Sequence, residues 1–318
     1  MSMGAMTTTA SVAAQRKTAG GGGTSGGQRG KRWAPWLFLS PYLILTAVFF
    51  IYPVVYATML SFYQTNGPTS RVFVGLGNFK FVLSDPDFAT AVWNTLVFCF
   101  FSLAVQLPLS LGLAMLLNTK DDRLKSFFRL AIFAPNLVGQ VFVGILFGVL
   151  FTPRYGLFNQ LLHTLTGWGL EQQWLGDPAL VMPAIVLASL WIYVGFNMVY
   201  FLAALQNVDV SLVEAARIDG AGPLSVFWNV TLPQIKPVAV FVVVTSTIGS
   251  FNLFELPYSL LRQSYGPSNS GLTIVGYLYR GAFEGGDLGL GAAIGWILTA
   301  MILVLSLIQI RLSGAAKE

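Results

Sequence analysis

A chain of 318 residues in which 55% are hydrophobic and only 10% are charged cannot be an ordinary soluble domain, where about a quarter of the residues carry charge. Its formal charge of +5 does not point to nucleic acid, because Lys and Arg gathered in cytoplasmic loops make membrane proteins basic on their own. A single cysteine, Cys99, and a single histidine, His163, exclude a disulfide framework and any metal site that needs several of either.

Residues 1–32 are rich in Gly, Ser, Thr and Ala and carry Arg16, Lys17, Arg29, Lys31 and Arg32. Low hydrophobicity predicts a disordered tail, retained on the cytoplasmic side, with no signal-peptide pattern at its start. Two fragments mimic nucleotide-binding motifs, Thr24–Gln28 and Gly30-Lys31. Neither has the required spacing: Lys31 is followed by Arg32, and no strand precedes it.

Residues 33–318 form the membrane domain. Six apolar segments follow one another, at about 35–62, 91–117, 128–151, 180–205, 236–258 and 288–311. Each is long enough to cross a hydrocarbon core as a helix, and lipid leaves the backbone no other means of satisfying its polar groups. The fold class is therefore all-α, a polytopic membrane protein with six transmembrane helices. Pro41, Pro53, Pro108 and Pro135 are expected to kink their helices. Trp33, Trp36 and Trp93 suit the membrane interface.

Orientation follows from the basic residues. Thirteen lie in the tail, the 118–129 loop, the Glu214 loop and the C-terminus, against five (Arg71, Lys80, Arg154, Arg262 and Arg280) on the other side. The positive-inside rule puts both termini and the Glu214 loop in the cytoplasm, which an even number of crossings permits. No internal repeat is discernible, and no loop is long enough for a separate extracellular domain.

The loop at 206–235 is too elaborate for a simple connection. Glu214, Arg217 and Asp219 decorate a helix-forming run, Gly220-Ala221-Gly222-Pro223 breaks it, and an apolar return ends at Leu232-Pro233. Glu214-Ala215-Ala216, then three residues and Gly220, then Val230 and Leu232-Pro233 match the spacing of the EAA motif. The sequence therefore resembles the membrane subunits of bacterial ATP-binding-cassette (ABC) importers. Val230 stands where isoleucine is commoner. Val74–Phe79, Ser84-Asp85-Pro86, Asn94-Thr95, Phe133-Ala134-Pro135, Tyr155–Asn159, Tyr279–Phe283 and Gly286–Gly289 extend the likeness to carbohydrate-uptake permeases of the MalF/UgpA type, over roughly residues 36–312. Ser264–Pro267 departs from the Gly-Gly-Gly-Pro common there.

The resemblance implies a MetI-like permease fold of the type I importers, in the bacterial cytoplasmic membrane. It implies a short coupling helix, about 211–219, docked on an ATPase, with Glu214, Ala215, Ala216, Asp219, Gly220, Leu232 and Pro233 as the coupling residues. It also implies a second related permease, two ATPase subunits and an extracytoplasmic solute-binding protein as partners, and a sugar as substrate. No nucleotide site is legible, so this chain would bind no cofactor, and ATP and Mg belong to the partner ATPases. It would be no enzyme itself.

Two stripes fall on single helix faces. Ser189, Tyr193 and Phe196 recur at i, i+4, i+7, and so do Thr245, Gly249 and Asn252, with Ile248 beside them. Polar groups in a bilayer face the bundle or a water-filled path. Hydroxyls, amides and aromatic faces suit a sugar, but the same residues also serve helix–helix packing. Another solute on the same architecture (a polyamine, an amino acid or a phosphate ester) stays open. A secondary transporter or intramembrane enzyme fits less well, because the spans are nearly free of charge and hold no catalytic dyad.

Overall fold

The computed structural model describes residues 27–67, 70–118, 123–167 and 169–314. Most of the expected tail, 1–26, lies outside these residues, as do Lys120 and Lys317. The described part of the tail, from Gly27, already belongs to a helix, Gly27–Thr46. Two compact units divide between Val55 and Tyr56. The first is helical from Gly27 onward, and the second holds the remaining helices and one hairpin.

Among the described residues, five helices are long and apolar enough to cross a membrane: α1 (Pro35–Leu60), α2 (Pro86–Leu117), α5 (Pro178–Gln206), α6 (Pro223–Phe251) and α7 (Leu288–Ser313). The segment expected as a single span at 128–151 is two helices, α3 (Ser126–Leu137) and α4 (Gln140–Leu150), bent by 99°. Counted as one span, the pair makes six. Pro135 does more here than kink: Ala134–Leu137 tighten into a 3₁₀ turn, and Val138 and Gly139 leave helical geometry altogether. The fifth expected span also differs. α6 begins at Pro223, well inside the polar loop, and ends at Phe251, before the short helix Glu255–Leu260.

Of four π turns among the described residues, one closes the short helix Ile274–Tyr279 at Arg280–Glu284, and three widen long helices, at Ala47–Ile51, Ser102–Gln106 and Phe227–Thr231. Each of these three ends two residues before a proline: Pro53, Pro108 and Pro233. Proline has no N–H for the carbonyl four residues back, and its ring crowds that carbonyl. In each case that carbonyl lies inside the widened turn, which relieves the clash without breaking the helix.

Lipid tails are as apolar as leucine, so close packing rather than the hydrophobic effect holds such helices together. Small residues mark the closest contacts. A Cβ on Gly195 of α5 would collide with the Ile132 carbonyl of α3, and Ala184, Ala188 and Ala114 are fully buried. Outward-facing Phe142, Ile145 and Val149 of α4 remain exposed, as a bilayer-facing surface requires.

At the end where α2, α5 and α7 begin, the chain is clasped by polar bonds. The hairpin Tyr63–Asn66/Ser70–Phe73 is pinned by Asn78, whose amide donates to the carbonyls of Ser61 (3.0 Å) and Tyr63 (2.9 Å). Asp287 caps α7 and accepts from Thr65 N (3.0 Å). Asp85 caps α2 and accepts from the Tyr277 hydroxyl. Asp87 accepts from Arg280 (2.7 Å) and Asn269 (3.1 Å), while Asn94 donates to the carbonyls of Asn269 (2.9 Å) and Leu272 (3.0 Å).

Candidate functional site

The loop between α5 and α6 folds as expected into a short helix, Val210–Ile218. Asp209 caps its start by accepting from Ser211 N (2.8 Å). The Ser211 side chain, then its backbone N–H, hold the Asp209 carboxyl below its ordinary range. Gln234 of α6 accepts from Asp209 N (2.9 Å), so the helix start is tied to the span that follows it. At the other end Gly220 adopts φ +83°, with Gly220 N bonded to Arg217 O (3.1 Å) and Ala221 N to Ala216 O (2.9 Å). This pair of bonds is the Schellman termination, which satisfies the last carbonyls and favours glycine at that position.

Glu214, Ala215 and Asp219 lie exposed and Ala216 is half-buried. Val210, Leu212 and Ile218 are also exposed, Ile218 to 86%. Glu214 has no cation within ion-pair distance among the described residues, and Arg217, one turn on, makes no pair with it. Leu232 packs against the core built by Leu107, Met198, Leu205 and Ile235, and Pro233 sits beyond the widened turn. The helix thus offers an apolar, carboxylate-bearing surface on a frame fixed at both ends.

Farther along α5 and α6 lies a cleft of about 180 Å³. Four of the seven stripe residues line it: Tyr193, Phe196, Thr245 and Gly249. Three do not. Ser189 is fully buried and donates to Val186 O of its own helix (2.7 Å). Ile248 and Asn252 are exposed away from the cleft, and Asn252 donates to Ile248 O (2.8 Å) at the helix end. Sequence reasoning missed the wall from α2, where Phe98, Ser102 and Gln106 stand, and the neighbours Asn197, Ser246, Ser250 and Leu253. Gln106 and Asn197 are amides in mid-span, a signal of the kind used for the stripes. Ser102 donates to Gln106 Oε1 (3.1 Å) and Asn197 to Ser246 Oγ (3.3 Å), so each wall carries a small polar network. Among the described residues no charged side chain lines the cleft.

A family model for the inner membrane component of binding-protein-dependent transport systems matches residues 106–315, two thirds of the sequence. The chain belongs to that family. It is a membrane-spanning permease subunit of an ABC transporter, not an enzyme. The permease is 42% identical over 288 residues to the arabinooligosaccharides transport system permease protein AraP of Bacillus subtilis (strain 168), covering 90% of each chain. It is 36% identical to the lactose transport system permease protein LacF of Rhizobium radiobacter, covering 86% of this chain and 92% of that protein. Against the sn-glycerol-3-phosphate transport system permease protein UgpA of Pectobacterium atrosepticum the identity is 34%, with 88% and 93% covered. In fold it matches a chain of a bacterial ABC transporter that imports the acidic polysaccharide alginate, with a TM-score of 0.77 at 21% identity over 92% of the permease and 98% of that chain. A second solved structure of a bacterial alginate transporter, in complex with a periplasmic protein bound to an alginate pentasaccharide, gives the same TM-score at 22% identity, with 92% and 97% covered.

Proposed function

We propose that the permease carries a neutral oligosaccharide inward across the cytoplasmic membrane. It works with a second related permease, two ATPase subunits, one of them docked on the Val210–Ile218 helix, and an extracytoplasmic solute-binding protein. One observation carries the solute class: the cleft on α2, α5 and α6 is lined by hydroxyls, amides and aromatic rings and by no charge. Amides and hydroxyls bond sugar hydroxyls, and the rings of Tyr193 and Phe196 cover C–H faces. A phosphate ester or a polyamine would lose its hydration there without gaining a counter-charge. At about 180 Å³ the cleft is smaller than an ordinary small-molecule site of ~300–1,000 Å³. It serves as one half of a path whose other half the second permease supplies.

The bias of basic residues places the Glu214 loop, and both termini, in the cytoplasm. The clasped end, at the start of α5, then faces outward. α5 leads into the coupling helix and α6 leads out of it, and both line the cleft. From Gln206 to Tyr193 is about 20 Å of helix at 1.5 Å per residue. A displacement of the docked helix on ATP binding therefore reaches the cleft through two continuous rods, and alternating access follows.

Uptake into proteoliposomes holding the complete transporter tests this reading. Labelled arabino-oligosaccharides, lactose, glycerol 3-phosphate and spermidine are offered, each with its binding protein. ATP-dependent uptake of a neutral sugar is expected. Uptake of the charged solutes alone would overturn it.

A further inference from the structure

Three of the π turns are accounted for by the prolines that follow them. The turn at Arg280–Glu284 is not. It closes with Gly285 N bonded to Arg280 O (2.8 Å), and no proline follows it in the chain. π turns are frequent at functional sites. A turn closed at i+5 sets residues i+4 and i+5 on the same side as i, so Phe283 and Glu284 both stand with Tyr279.

Around this turn five aromatic rings link into one surface. Phe283 stacks on Tyr279, with ring centroids 5.3 Å and planes 27° apart. Tyr279 meets Phe254 (4.9 Å) and Tyr258 (5.4 Å), and Tyr258 meets Tyr265 (5.9 Å). None of the five is buried, and Phe283 is 65% exposed. The ring cluster around Phe151, by contrast, is built on a buried core residue. Glu284 lies among the five rings. Its Oε1 accepts from the hydroxyls of Tyr265 (3.0 Å) and Tyr258 (3.3 Å), while its Oε2 accepts nothing among the described residues. An exposed carboxylate held among the rings requires water, not acyl chains, on this face.

The rings are fastened to the solute cleft. Phe254 directly follows Leu253, which lines that cleft. The buried Thr273 hydroxyl donates to Leu253 O (2.7 Å) and accepts from Gly276 N (3.1 Å), capping the helix Ile274–Tyr279 that leads into the π turn.

We propose that these rings form a second sugar subsite at the mouth of the path, holding a further ring of the oligosaccharide while its leading ring occupies the solute cleft. The proposal rests on the transport reading above. A cleft of about 180 Å³ leaves the rest of a longer chain outside it. Aromatic faces cover the C–H faces of a sugar ring, and Glu284 Oε2 accepts from its hydroxyls. Apolar and aromatic surface with a few placed polar groups is the usual make-up of a small-molecule site.

The test uses the complete transporter in proteoliposomes, with the binding protein offered an equimolar mixture of arabinobiose and arabinotetraose. The readout is the ratio of tetraose to biose imported. The binding protein's own preference is common to every variant and cancels. Phe283→Ala is expected to lower the ratio about tenfold, and Glu284→Gln to lower it in the same direction. Phe283→Tyr, which puts a ring back, is expected to recover most of it. A ratio unchanged in both Phe283→Ala and Glu284→Gln overturns the subsite. So does an equal loss of both sugars with a raised half-saturating concentration of binding protein, which would mark the rings as a protein contact. A wild-type transporter that imports neither sugar overturns the transport reading and this proposal with it.

Discussion

Gly220 shows how one backbone angle fixes a motif residue. The space beside its Cα is open, so a side chain there meets nothing within 4 Å, yet its φ of +83° is costly for any residue with a Cβ. Gly220→Ala should therefore destabilise the end of the Val210–Ile218 helix by about 1 kcal/mol through the backbone alone. Hydrogen exchange of the Ala216–Ala221 amides reads this out, and Gly220→Asn should recover much of the loss, since asparagine tolerates the left-handed region. Equal losses for both variants would mean that contact with a partner, not φ, demands the glycine. Gln106 makes the complementary case. Its side chain is buried at the cleft proposed for the solute and accepts from Ser102, at a mid-membrane position with no packing need for an amide. Gln106→Leu keeps the volume and removes the amide. Uptake should show a half-saturating solute concentration raised tenfold or more with normal expression, because a site built to bond a hydroxyl discriminates strongly through that bond. Wild-type uptake would remove Gln106 from the pathway.

At the scale of elements, the Val210–Ile218 helix is held at both ends and free along its face. Asp209 and Gln234 fix its start, Gly220 and Ala221 its end, and Glu214 is left without a cation among the described residues. Glu214→Lys should leave the permease inserted and folded while ATPase subunits no longer co-purify, and transport should fall to background. Retained uptake would refute the coupling role. This element was legible in the sequence because a charged helix-forming run, a terminating glycine and a proline return are local signals that a single stretch can carry, whereas the Asp209 cap was not read there. The long helices were legible for the same reason, since length and apolarity suffice. What escaped was tertiary. Pro135 announces a bend, but whether it becomes a kink or a 99° turn depends on how α3 packs against α5 around Gly195. The two stripes were read as helix faces. Only the arrival of α2 decides that Tyr193, Phe196, Thr245 and Gly249 face a cleft while Ser189 turns into the core. Periodicity identifies a face and not its neighbour.

For the molecule as a whole, most of the stretches that carried the resemblance fall at two ends with different tasks, Phe133–Pro135 at the α3–α4 bend apart. The Glu214 loop is exposed and built for contact, whereas Asn78, Asp85, Asn94, Arg280 and Asp287 bond to one another's segments and hold the opposite end closed on itself. If the Val210–Ile218 helix couples to an ATPase as proposed, a permease that rocks its helices needs such a fixed end, or a push on that helix would dissipate in loop motion. Asp87 is the test residue, since it joins the start of α2 to both Arg280 and Asn269. The pair with Arg280 is partly exposed, so its loss together with the Asn269 bond should cost about 1–2 kcal/mol and not more. Asp87→Ala is expected to raise amide exchange across 269–284 and to leave 210–218 unchanged, while a uniform rise would mean general unfolding instead of an opened clasp. The clasp should also have a defined pH range. Burial first, and then the Asp85 carboxylate that accepts its proton, push the Tyr277 phenol above its ordinary range. A folded-state pKa raised in this way gives stability that is present in full below the unfolded value, ~10, and is lost as pH climbs through the raised one. Exchange in the Ile274–Tyr279 helix, corrected for the intrinsic base-catalysed rate, should therefore stay flat from pH 6 to 9 and rise only in strong alkali. Tyr277→Phe should abolish that alkaline rise, because phenylalanine fills the same space but has no proton to lose.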